Sequence, residues 1–306
     1  MFERILAWLR EVWKRMINSN VFKEKIGATI AVSADMAGAI VRWSRMYTNQ
    51  AEWLNKDIVS LNLPAAISGE IARAVTIEME VSLGEGPRAA YLTEQLEPVL
   101  SSARASTEFA AAMGGVVFKP YVAGAKIVVD TVRADHFYPV SFDSRGGVTG
   151  AVFVDQKKVG EFVYTKLEFH QMEDGGCRIR NKAFRATNEA SLGAEVALTN
   201  VPEWADLLPE AFISDIDRPL FAYFRFPQAN NIDPSSPLGV SCYARAEDLI
   251  KQADTLWSQF LWEFESGQRA LYADVIAFDK DANGNPVLPL KRLYRTLSHS
   301  GTSIGE

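Results

Sequence analysis

The chain has 306 residues, 48% of them hydrophobic and 23% charged, enough for a sizeable core in one large domain or two to three smaller ones. A formal charge of −6 argues against a surface that grips nucleic acid by neutralising phosphates. Cys177 and Cys242 are far apart and form no metal or redox motif, which fits a reducing compartment, and no run of 18 uncharged apolar residues marks a transmembrane helix.

In chain order, Met1 to Met16 is amphipathic, with Ile5, Leu6, Leu9, Val12, Trp13 and Met16 on one side. It lacks the continuous apolar region of a secretory signal. Docking on its own protein is favoured over a membrane surface. Ser33-Ala34-Asp35-Met36 opens a second helix whose face carries Met36, Ile40, Trp43 and Tyr47. A third is predicted from Pro64 to about Leu83, with Ile67, Ile71, Val75 and Met79 as its stripe and Gly84 and Gly86 after it. A fourth helical region runs from Arg88 to Met113, restarted or kinked at Pro98. The first 113 residues thus read as almost wholly helical.

Beyond Gly114-Gly115 the pattern becomes β. Val116–Tyr121 and Lys126–Val132 read as a strand pair, as do Phe137–Phe142 and Val148–Phe153. Glu161–Gln171 and Cys177–Ala186 form a further hairpin about Glu173-Asp174-Gly175-Gly176. Val196–Leu198 and Phe221–Phe226 add strands. Residues 116–226 are therefore expected to be an antiparallel β-rich unit, and the fold class is α+β.

A long helix follows. From Ala246 apolar residues fall at helical spacing to Phe264, Ser241 is the expected N-cap, and Gly267 is placed to stop it. From Ser241 to Arg269 it would span about 40 Å. Trp257, Phe260, Leu261, Trp262 and Phe264 crowd its end and need partners on more than one side; they are the subunit-interface candidates. Glu247, Asp248, Asp254, Glu263 and Glu265 outnumber Arg245, Lys251 and Arg269, so the helix is mildly acidic. Pairs such as Glu247/Asp248 and Glu263/Glu265 read as solvated faces.

No phosphate-cradling loop, dinucleotide fingerprint or nucleophile elbow is present, and no cofactor or metal is expected. Asp135-His136 could pair as base and orienter, but neighbours on a strand point to opposite faces. Asp279-Lys280-Asp281-Ala282-Asn283-Gly284 matches the opening of a calcium-binding loop, yet the twelfth position is Leu290. An Asn283-Gly284 hairpin turn joining Tyr272–Phe278 to Val287–Tyr294 explains the same letters. No catalytic residue is assigned.

The run Asn230-Asn231-Ile232-Asp233-Pro234-Ser235-Ser236-Pro237-Leu238-Gly239-Val240-Ser241, with Ala244–Ile250 and Leu261-Trp262-Glu263-Phe264-Glu265, resembles the portal proteins of tailed bacteriophages with long non-contractile tails. Matches elsewhere agree in order: Met36 to Trp53, Leu63 to Glu78 with Glu70, Arg73 and Glu78, Lys119-Pro120-Tyr121, Ala134-Asp135 and Pro202-Glu203-Trp204-Ala205. The resemblance implies a homo-oligomeric ring, typically of twelve subunits, at one capsid vertex. It would be assembled in the host bacterial cytoplasm and carried in the virion, without a membrane.

Double-stranded DNA would pass through the ring without sequence readout. The implied partners are the terminase large subunit, a head-completion adaptor, and scaffold or capsid protein. On that pattern residues 1–115 are the helical part of a peripheral wing and 116–230 its β-rich part. Residues 231–271 are a stem helix with its lead-in, and 272–306 begin a clip. Arg245, Glu247, Asp248, Lys251 and Asp254 become candidates for the channel-facing stem. Portal chains continue beyond this point, so a shortened chain is expected. Two other readings are a partner- or membrane-docking adaptor without catalysis, using Met1–Met16, and an α+β enzyme assembled from Asp135, His136 and His170.

Overall fold

A computed structural model describes residues 21–124, 126–188, 191–267, 271–274, 278–283, 287 and 294–297. The expected helix over Met1–Met16 lies outside them. The chain groups into two compact units: residues 1–54 with 62–250, and residues 55–61 with 251–306.

In the first unit, helices α1 (Val21–Ile26), α2 (Ala34–Tyr47), α3 (Leu63–Thr76), α4 (Pro87–Ser101) and α5 (Ala103–Met113) precede the strands. Ser33 caps α2 as expected, its hydroxyl accepting the Met36 N–H at 3.3 Å. Met36, Ile40 and Trp43 face the core from α2, with Trp43 wholly buried. The helix begun at Leu63 ends at Thr76, seven residues before the predicted Leu83. Its inward face is also not the predicted one. Pro64, Ser68 and Ala72 are buried, whereas Val75 and Met79 are exposed. Small residues win because α5 presents Ser106, Ala110 and Ala111, and two helices approach closely only through small side chains. Pro98 sits inside α4, and the break into α5 falls at Ser102.

The β region is two sheets. Strands β1 (Gly115–Ala123), β2 (Lys126–Arg133) and β9 (Ala222–Arg225) form an antiparallel sheet in the order β2-β1-β9. The second is antiparallel in the order β3 (Phe137–Phe142), β4 (Val148–Val159), β5 (Phe162–Glu173), β6 (Gly176–Ala186), β7 (Ala194–Val196). Strand β8 (Glu210–Ser214), which the sequence pattern missed, pairs the other half of β6. The β4–β5 and β5–β6 registers run ten and eleven residue pairs without a slip, pairing Phe153 with Glu168 and His170 with Ile179. Trp43, Phe137, Val152, Leu167, Phe184 and Tyr243 belong to one buried cluster, and Trp204 with Tyr164 and Val201 to a smaller one.

The Pro237–Tyr243 stretch closes this unit. Gly114 has φ 87° as the α5 C-cap, and a Cβ on either Gly114 or Gly239 would overlap the other residue's backbone. Cys242 N–H donates to the Ala111 carbonyl at 2.8 Å, and Gly239 N–H to the Tyr223 hydroxyl at 3.1 Å. Leu238, Val240, Ser241 and Tyr243 are all buried.

The long helix, α6, covers Glu247–Ser266 rather than Ser241–Arg269, about 30 Å instead of 40 Å. Ser241 does not cap it. Its hydroxyl accepts the Tyr243 N–H at 3.3 Å, and residues 241–246 make successive tight turns, Ala244 to Ser241 and Ala246 to Tyr243. Gly267 ends α6 as expected, its N–H donating to Glu263; Arg269 lies outside the described residues.

In the second unit residues 55–61 lie along α6. Ser258 Oγ accepts the Val59 N–H at 2.9 Å, and Asp254 Oδ1 the Leu61 N–H at 2.8 Å. The described residues hold a parallel pair, β10 (Leu271–Asp274) with β11 (Tyr294–Leu297); most of the hairpin expected across Asn283-Gly284 lies outside them. Val287 N–H donates to the Asp279 carbonyl and Asn283 N–H to Asp281, so those letters do close a turn. Gly284 and Leu290 lie outside the described residues.

Candidate functional site

Two places gather chemistry. The first is α6, whose side chains sort into three faces at i, i+4, i+7 spacing. One face is committed within the chain: Ile250 and Asp254 are buried and Ser258 nearly so. A second is polar, with Asp248, Gln252 and Gln259 exposed and Glu263 beyond them. The third is apolar and uncovered: Leu249 is 65% exposed, Leu256 63%, Phe260 51% and Phe264 62%. Trp257 flanks that stripe, stacked on Phe260 at 5.7 Å, and Phe264 meets Phe260 edge-on at 4.6 Å. Leu261 and Trp262 are exposed on other sides of the helix. Among the described residues nothing covers that face, and an exposed apolar stripe of this kind marks a contact surface.

The five charged candidates do not stay together. Arg245, Asp248 and Lys251 are exposed. Glu247 accepts the Trp43 indole N–H at 2.6 Å and the Arg42 Nε–H at 3.2 Å, so it is a tether to α2 rather than part of a solvated face. The Tyr243 hydroxyl completes that tether, donating to the Trp43 carbonyl at 2.9 Å. Asp254 is buried and holds the Leu61 amide. A 205-residue separation hides the Arg42–Glu247 pair from any local pattern.

The second place is a cleft of ≈ 480 Å³ lined by Lys119, Asp130, Arg133, His136, Asp155, Lys166 and Glu168, with Phe109 and Phe153. Glu168 on β5 is its centre. Its carboxylate accepts from Lys119 Nζ at 2.9 Å, Lys166 Nζ at 3.0 Å and His170 Nε2 at 2.8 Å. Burial pushes this carboxyl up, but the His170 hydrogen bond and the two ammonium groups outweigh it and hold Glu168 well below the usual carboxylate range. Lys119 comes from β1 and Glu168 from β5, so this ion pair joins the two sheets. Lys119 also sits 5.2 Å from the Phe153 ring centroid.

Asp135 and His136 fall on a 3-10 turn, Ala134–His136, not on a strand, so they do not point to opposite faces. Asp135 is buried, accepting Arg133 in a two-pronged contact and the Ser44 hydroxyl at 2.8 Å. Burial raises its pKa, and His136, Arg133 and Ser44 together bring it below the ordinary value. His136 lines the cleft, its Nδ1 at 3.3 Å from the Val154 carbonyl. His170 is buried, and its Nδ1 has no hydrogen-bond partner. Of the three residues named for the enzyme reading, Asp135 and His136 lie 3.8 Å apart beside Arg133, whereas His170 is buried against Glu168. The signal for Glu168 was present in the letters: Lys166, Glu168 and His170 occupy one face of a strand at i, i+2, i+4.

Among the described residues no cluster of three or more His, Cys, Asp or Glu is arranged to hold a metal, and no helix is long and apolar enough to cross a membrane. Both thiols are pushed up by burial. No family model matches the chain, and no curated protein matches it.

Proposed function

We propose that the chain is a structural subunit of a homo-oligomeric ring of the phage-portal kind, conducting double-stranded DNA through a capsid vertex. The observation that carries this reading is the three-faced α6. Its uncovered stripe of Leu249, Leu256, Phe260 and Phe264, with Trp257 beside it, is matched to packing against another helix of the same sort in a neighbouring copy. Between such contacts the polar face of Asp248, Gln252, Gln259 and Glu263 would line the passage. Its two carboxylates and neutral amides bring no positive charge to DNA phosphates, which suits a conduit, because every neutralised phosphate adds salt-dependent affinity and slows passage. Arg245 and Lys251 would sit at the margins of that face. Glu247 and Asp254 drop out as channel groups, since both are spent on contacts within the chain. Terminase, a head-completion adaptor and scaffold or capsid protein are the partners that go with this role.

Native mass spectrometry with negative-stain microscopy tests it. A closed multimer is expected, with no detectable DNA affinity at physiological salt. A monomer at every protein concentration and ionic strength would overturn the proposal.

A further inference from the structure

A second exposed apolar surface lies far from α6 in sequence, on the stretch from the end of α3 through α4. Val75 is 61% exposed, Ile77 67%, and Met79, Val81 and Leu83 43% each; Tyr91 on α4 is 44% exposed. Helix α4 itself buries none of its fifteen residues. Its Leu92, Gln95, Leu96 and Val99 side is half-buried, the Gln95 amide oxygen accepting the Ile127 N–H at 3.0 Å, whereas Tyr91, Glu94 and Glu97 stay exposed. The surface is also acidic. Residues 75–101 carry Glu78, Glu80, Glu85, Glu94 and Glu97 against Arg88, five carboxylates to one guanidinium, a net of −4.

One segment of this chain complements it in both respects. Residues 1–16 hold Ile5, Leu6, Leu9, Val12, Trp13 and Met16 at helical spacing, and their charges are Arg4, Arg10, Lys14 and Arg15 against Glu3 and Glu11, four to two, a net of +2. Their length matches as well: sixteen helical residues span about 24 Å, and the fifteen of α4 about 22 Å. We propose that the acidic apolar surface of residues 75–101 is the dock for residues 1–16. That segment would lay its apolar stripe over Ile77, Val81, Leu83 and Tyr91 while its arginines and Lys14 meet Glu78, Glu80 and Glu94. This is a role for the amphipathic N-terminal segment separate from the ring contacts assigned to α6, and it does not depend on them.

Hydrogen exchange on the full-length chain tests it. Amides of residues 79–99 are expected to be protected in the unaltered protein and to exchange about tenfold faster in Leu9→Asp/Trp13→Asp. A cooperative thermal melt in that variant shows that the rest of the chain remains folded. Charge reversal gives an independent arm. Glu78→Lys/Glu80→Lys should lose the protection, and adding Arg10→Glu/Lys14→Glu should restore it. No protection in the unaltered chain would overturn the proposal. So would protection indifferent to the N-terminal substitutions, which means another copy or another protein covers the surface. Co-sedimentation with anionic vesicles that is lost in Leu9→Asp/Trp13→Asp while residues 79–99 stay unaffected would overturn it in favour of a membrane.

Discussion

The two compact units treat tryptophan in opposite ways. In the first, Trp43 is fully buried with its N–H on Glu247, and Trp204 is 2% exposed with its N–H on Asp155. In the second, Trp257 is 38% exposed and Trp262 63%. Tyr243, buried beside Trp43, has its polar handle satisfied too, its hydroxyl donating to the Trp43 carbonyl. The helix in the second unit instead commits small and polar groups, Asp254 and Ser258, to its own chain and leaves the aromatics outside. The first unit packs Trp43 and Trp204 inside, even though it leaves Val75 and Ile77 exposed elsewhere. The second, in its described residues, leaves an apolar helix face exposed, the kind of surface that marks a contact site.

The largest effect should come from the closure between α5 and the lead-in to α6. Gly239→Ala puts a methyl into the Gly114 carbonyl and should cost about 3 kcal/mol or more, read as a fall in thermal midpoint. A change of under about 0.5 kcal/mol would mean the two backbones are free to separate.

Next is Glu168→Gln, which leaves Lys119 and Lys166 without their counter-ion and should cost about 3 kcal/mol at neutral pH. The sign of its pH dependence follows from the lowered pKa of Glu168. Stability from a depressed carboxyl is complete above its unfolded value and lost as pH falls through the folded one. The gap between variant and wild type should therefore narrow below about pH 4, in denaturant titrations at stepped pH. A gap that stays constant to lower pH would remove the ion cluster as the tie between the sheets.

Trp43→Phe keeps most of the buried area but deprives Glu247 of its donor. About 1–2 kcal/mol is expected, measured in the same titrations.

Smallest in stability should be Trp257→Ser/Trp262→Ser, within about 0.5 kcal/mol at dilutions where the chain is single, since neither side chain is buried. The same variant should lower the mass of the assembly. Destabilisation comparable to Trp43→Phe would erase the contrast between the units.

Much of the local architecture was legible in the letters. Ser33 as a cap, the β1–β2 and β5–β6 hairpins and Gly267 as a stop all rest on contacts within a few residues or on turn chemistry, which sequence encodes directly. Errors arose where a distant segment competed. The stripe Ile67, Ile71, Val75 and Met79 has helical spacing, yet Ser68 and Ala72 face inward because α5 sets the approach distance. Ser241 has the chemistry of an N-cap, but Tyr243 must turn under Trp43, and the Ser241 hydroxyl serves that turn instead.

For the candidate site, the sequence by itself determined that α6 gathers Leu249, Leu256, Phe260 and Phe264 on one face, because helical periodicity fixes which side chains share a face. It also set the opposite charges of residues 1–16 and 75–101, which composition alone supplies. Only the tertiary structure decided which carboxylates are spent. Glu247 and Asp254 read like Asp248 in sequence, yet their fates differ because Trp43 and Leu61, some 200 residues earlier, bring donors to them. The same holds in part for Glu168. His170 and Lys166 stand beside it on its own strand and were visible in the letters, but burial and the ammonium of Lys119, brought from another sheet, come only with folding.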